Sequence, residues 1–169
     1  MDATALRAMQ APLKDRYRGD PDAAVVTLRA QGTLEDGAIA CKVDTGRALA
    51  VAGLHPATGG SGLELCSGDM LLEALVACAG VTLKAVATAL GIEIRSGTVL
   101  AEGDLDFRGT LGVDKAAAVG FRRVGLTFEL ATDAEGEQID QLLKLTERYC
   151  VVFQTLNHRP ELDVNVVRH

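Results

Sequence analysis

The stretch LLEALVACAGVTLKAVATAL, residues 71–90, contains only two charged side chains, Glu73 and Lys84. A helix apolar around most of its circumference is buried in a core or crosses a membrane. Glu73 and Lys84 interrupt the run before it reaches the roughly 18 uncharged residues that a span requires. The pattern therefore predicts a central, buried helix, and no membrane partner. Ser67 is a candidate N-cap, Asp69 in the first turn complements the helix dipole, and Gly91 suits the position just past the last turn. Near the middle stands Cys78. A cysteine here packs as a small hydrophobe or carries chemistry, and position alone leaves both readings open.

A chain of 169 residues can bury a core around such a helix within one domain. Trp is absent and aromatics make up 4%, so aliphatic side chains must fill that core. The formal charge of −6 argues against nucleic acid, which demands a Lys/Arg footprint. The first residues, MDATALRAMQAPLKDRYRGD, lack the apolar region of a secretory signal, so a cytoplasmic location is the expectation. There Cys41, Cys66, Cys78 and Cys150 are expected as reduced thiols unless a pair is redox-active. No CxxC pair or Cys/His cluster has zinc spacing, and HPATGGSG matches neither a Walker nor a dinucleotide fingerprint. No metal and no cofactor are expected.

Residues 3–18 place Leu6, Met9, Leu13 and Tyr17 at helical spacing among charges, as in a surface or partner-facing helix. We read 1–20 as a helical extension and 21–169 as a single domain. AAVVTLRAQGTL, GAIACKVD and GRALAVAGL read as strands, the first two joined at LEDG. IEIRSGTVLAEGDLDF and GFRRVGLTFELAT read as longer antiparallel strands. AEGEQIDQLLKLTERYC is an amphipathic helix with Ile139, Leu142 and Leu143 inward, and ELDVNVVR reads as a closing strand. The order is that of an α+β fold.

SGDMLLEALVACAGVTLKAVA, followed far along the chain by TERYCVVFQTL and preceded by GLHPATGGSG, resembles the OsmC/Ohr family of thiol-dependent organic hydroperoxide reductases. The similarity spans about residues 23–169. It implies curved antiparallel sheets around a central, buried cysteine-bearing helix, and an intertwined homodimer with the active site at its interface. It also implies a peroxidatic Cys78, a resolving Cys150, an organic hydroperoxide substrate and a dithiol reductant such as dihydrolipoamide. The family takes its thiolate-stabilising arginine from the N-terminal strands, which points to Arg47 or Arg29, with Arg148 a third candidate.

This chain departs from the family's pattern at two places. Gly68-Asp69 stands where peroxidase members have Pro-Glu, and Val151 follows Cys150 where proline is frequent. At about 100° per residue, Asp69 falls nearly opposite Cys78 on the helix. Asp69 either folds back to orient the arginine or serves the helix dipole, and Glu73 reads as a solvated or interface charge. His55 reads as a loop residue or an acid/base group. The functional expectation is a two-cysteine peroxidase acting on alkyl or lipid hydroperoxides. The alternative is a module on the same scaffold that binds a hydrophobic ligand and leaves both cysteines inert.

Overall fold

The computed structural model describes residues 3–34, 41–43, 52–63 and 65–168, with backbone only at 3–7, 28–32, 34 and 41–43. The long apolar stretch forms helix α2, Ser67–Leu90. Its entry differs by one residue from expectation. Cys66 is the N-cap and Ser67 the first helical residue, because the extended backbone ends at 66. Gly91 ends the helix in the left-handed region (φ 69°) that a side chain would resist, and its N–H returns to the Ala87 and Thr88 carbonyls.

Leu72, Leu75, Val76, Ala79, Leu83 and Ala87 recur every three or four residues along α2 and are fully buried. They meet Val99 and Ala101 of strand β3 (Ser96–Asp106), Leu142 of helix α4 (Gly136–Tyr149) and the intervening Ile92 and Ile94. By length and composition α2 could cross a membrane, yet its apolar stripe is occupied by this sheet and α4. Strand β1 (Val25–Leu34) lies between β2 (Cys41–Val43) and β3, and β4 (Phe121–Ala131) closes the order β2-β1-β3-β4. All three pairings are antiparallel. A bulge where Asp104 and Leu105 face Arg123 and Phe121 shifts the β3–β4 register. The fold class is thus α+β, as expected. Cys41 lies in a strand, also as expected. GRALAVAGL falls largely outside the described residues; its Ala52 makes one parallel bridge to Leu65.

Helix α1 (Ala3–Gly19) docks on its own chain. Tyr17 is 2% exposed, packs with Ala24, Phe107 and Leu111, and donates its hydroxyl to the Ala57 carbonyl at 2.7 Å. Gln10 donates to the Thr58 carbonyl. The loop 55–60 ahead of α2 is therefore braced from outside. It is also tight within: at Gly60 a Cβ would collide with the Leu54 carbonyl. Short helix α3 (Phe107–Thr110) is capped by Asp106, a buried carboxylate held well below its ordinary pKa by hydrogen bonds from the Arg108 guanidinium.

After α4 one element was not foreseen and one expectation fails. Residues 151–157 form a further helix, α5 (Val151–Asn157). ELDVNVVR forms no strand; residues 159–168 are without regular structure, with Leu162, Val164 and Val166 exposed at 77%, 92% and 78%. Alternation makes a strand only where an edge accepts it, and no described strand of this chain does.

Leu83, wholly buried on α2, tests the core directly. Leu83→Ala is expected to cost about 2–5 kcal/mol in denaturant unfolding. A loss below about 1 kcal/mol would contradict the packing of α2 as the core element.

Candidate active site

Cys78 lies midway along α2, and Cys150 occupies the single residue between α4 and α5. Cys150 ends α4, its N–H bonding the Thr146 carbonyl, and N-caps α5, its Sγ accepting from the Phe153 N–H at 3.5 Å. The first N–H groups of a helix have no carbonyl partner within it. Those of Val152 and Val151, with the Cys150 thiol and the Thr82 hydroxyl, lie near enough to the Cys78 sulfur to lower its pKa. Both sulfurs thus sit at the start of α5, and both thiols are free.

Their environments differ in a way that sets their chemistry. Burial alone would push the Cys78 thiol up, but the Val152 amide, the Cys150 thiol, the Val151 amide and the Thr82 hydroxyl together hold it below its ordinary pKa. Burial pushes Cys150 the other way, to about 11, against the Phe153 amide and with Cys78 contributing to the rise. One contact contributes to both shifts. A Cys150 S–H donated to Cys78 favours the thiolate at Cys78 and the neutral thiol at Cys150. Exposure follows the same division: Cys78 is partly accessible, whereas Cys150 is 1% exposed.

A cavity of about 520 Å³ lies between α2, β4 and α5. Leu71, Leu75, Phe121, Val124, Leu126 and Phe153 form its apolar walls. Leu71 and Leu75 precede Cys78 on one helical stripe, and Phe153 is the residue whose amide meets Cys150. The cavity shares α2 and α5 with the two cysteines, although neither sulfur lines it.

The other candidates are distributed differently. Arg47 lies outside the described residues. Arg29 sits in β1 at the register position facing Glu102, and its side chain is outside what is described. Arg148 lies over the Tyr149 ring, 5.7 Å from its centroid. Asp69 is in the first turn of α2, where burial raises its carboxyl against the opposing effect of His55. Burial and the neighbouring Asp69 raise Glu73 as well. No ion pair joins Asp69 to an arginine among the described residues. His55 is fixed by its own loop: Nδ1 accepts from the Ala57 N–H at 3.0 Å, and the ring stacks on Phe107 with centroids 5.0 Å apart. Cys66 stands at the entry of α2 as its N-cap residue.

Sequence reasoning passed over Thr82 and the amides of Val151 and Val152. For Thr82 the available signal was its position four residues after Cys78, on the same face. The amides follow from VVFQTLN being helical, which its β-branched start conceals.

The profile of the OsmC-like protein family matches residues 60–165, which contain α2, both thiols and the cavity. Among solved structures, an OsmC-like hydroperoxide resistance protein from Jannaschia sp. CCS1 is similar with a TM-score of 0.58 at 17% identity. That match covers 86% of this chain and 92% of the other. An OsmC-like protein from Mycoplasma pneumoniae matches with a TM-score of 0.54 at 17% identity, over 80% of this chain and 86% of the other. Among curated proteins none matches. At such identities the structures speak for the fold alone, and the family profile carries the assignment. The chain belongs to the family of OsmC-like proteins.

Proposed function

We propose that the protein is a two-cysteine peroxidase for organic hydroperoxides, with Cys78 as the attacking and Cys150 as the resolving thiol. The observation that carries this reading is the asymmetry of two thiols in contact, one accessible and held low, the other buried and pushed to about 11. The Cys78 thiolate attacks the terminal oxygen of the hydroperoxide. An S–O bond forms as the O–O bond breaks, and the alkoxide leaves as the alcohol after taking a proton. Cys78 is then a sulfenic acid without charge, so its contribution to holding Cys150 protonated is gone. The Cys150 sulfur attacks Cys78, its proton leaves with the departing hydroxide as water, and a disulfide results. A dithiol of the dihydrolipoamide class would return both thiols by exchange. Similarity to a hydroperoxide resistance protein supports the substrate class. The cavity supports alkyl or lipid hydroperoxides within that class, at about 0.8 kcal/mol for each CH₂ buried. It would equally suit the alternative, a hydrophobic-ligand module, but inert cysteines would not need a lowered thiol.

Arg47 or Arg29 is proposed to stabilise the attacking thiolate, with Asp69 as its orienting carboxylate. The homodimer is also part of this reading. ELDVNVVR is a strand sequence left exposed by its own sheet, and we assign it to pairing with a second copy. Light scattering is expected to give twice 17.7 kDa, and deletion of residues 161–169 is expected to yield the monomer. A wild-type monomer would contradict the assignment.

Peroxidase activity is measured as cumene hydroperoxide consumed with excess dithiol. Cys78→Ser is expected to abolish it, and Cys150→Ser to allow one turnover that leaves a dimedone-reactive Cys78. Because the Cys78 thiol is held low, the rate should rise with pH and level off below the ordinary thiol range near 8.5. Full activity in Cys78→Ser would end the proposal.

A further inference from the structure

We propose that the cavity between α2, β4 and α5 is a binding site for an anionic amphiphile, a single alkyl chain ending in a carboxylate, with Arg122 receiving the head. The inference goes beyond the peroxidase reading and does not rest on it, since neither sulfur lines the cavity. Its geometry starts at the β3–β4 bulge. Phe121 faces Leu105 and Arg123 faces Asp104, which leaves Arg122 between them as the extra residue. Val124 and Leu126 face Gly103 and Ala101, on the same side of the sheet as Leu105 and therefore as Phe121. Arg122, two residues before Val124, lines the cavity with them. The bulge thus sets an aromatic ring and a guanidinium next to each other in the cavity wall. The ring has its place because Gly103 has no side chain; a Cβ there would collide with it.

Charge selects the head of the ligand. The chain carries a formal charge of −6, yet no Asp or Glu is among the described residues that line the cavity. Arg122 is 54% exposed, and the carboxylate it meets among the described residues, Asp106, stands 3.9 Å from its Nη1. Asp106 is already engaged, because the Arg108 guanidinium donates to both its oxygens at 2.6 to 3.2 Å. Arg122 therefore has donors to spare, in the planar fork that matches a carboxylate. Arg123 does not duplicate it. Its Nη2 lies 3.8 Å from where a Cβ of Gly125 would stand, on the face of β4 opposite Val124 and Leu126. Behind Arg122 the walls are apolar, with Leu75 buried and Leu71 and Leu156 exposed. Apolar walls with one free cation, in a volume of about 520 Å³, suit a chain with one charged end.

The test is isothermal titration calorimetry of the full-length protein with decanoate, decanol and decyltrimethylammonium, each below its micelle concentration at neutral pH. Decanoate is expected to bind once per chain, more tightly than decanol and far more tightly than the cation. Arg122→Gln is expected to weaken decanoate by roughly tenfold, the lower end of what a hydrogen bond to an ion contributes, and to leave decanol unchanged. Arg123→Gln should leave decanoate close to the wild type, because its guanidinium lies on the other face. If the glutamine variant fails to fold, Arg122→Lys keeps the charge, loses the fork, and should weaken decanoate by a smaller factor. Absence of decanoate binding, equal affinity for the three probes, or wild-type affinity in a folded Arg122 variant overturns the proposal. None of the probes reacts with a thiol, so the two readings separate. If decanoate binds but Cys78 resists cumene hydroperoxide, the site stands and the peroxidase fails; the converse result overturns the site alone.

Discussion

The pairing of Cys78 with Cys150 depends on where α5 begins. The first amides of a helix have no carbonyl partner within it and take their acceptors from elsewhere. Here the Phe153 amide bonds the Cys150 sulfur, and the Val152 and Val151 amides lower the Cys78 thiol. One local requirement of backbone hydrogen bonding therefore brings two thiols from distant parts of the chain together. It also gives the more exposed one the charge-stabilising surroundings.

Holding that corner in place falls to α2 and its neighbours. The aliphatic stripe of α2 fixes Cys78 against β3 and α4, and Leu142 and Thr146, both buried, fix the end of α4 at Cys150. At its other end, the loop that leads into α2 is braced by Tyr17 and Gln10 of α1 and by the His55–Phe107 stack. The helix read as an appendage thus supports the entry to α2. His55, whose Nδ1 is committed to its own loop, serves the same brace.

The fold was legible where burial imposes a period. α2, its glycine stop, the antiparallel β1, β3 and β4, and α4 all declare themselves through apolar spacing. α5 did not, because Val151, Val152 and Thr155 are poor helix formers and the segment is short; packing beside α2 overrides their preference. ELDVNVVR misled for the converse reason: a correct alternation says which face would be buried, not which chain supplies the edge. For the site, the two cysteines could be proposed from their setting in the sequence. The donors around them could not, since a backbone amide has no signature in the side-chain pattern and Thr82 reads like any other threonine. Asp69 could be placed in the first turn of α2, yet its neighbours there, His55 and Glu73, depend on how the loop returns.

The most direct test of the account is peptide mapping under non-reducing conditions after the reduced protein meets one equivalent of cumene hydroperoxide. The account predicts a Cys78–Cys150 disulfide within seconds, with Cys41 and Cys66 left as thiols and one equivalent of peroxide consumed. Four free thiols after excess peroxide, or a disulfide that includes Cys66 instead of Cys150, would contradict it.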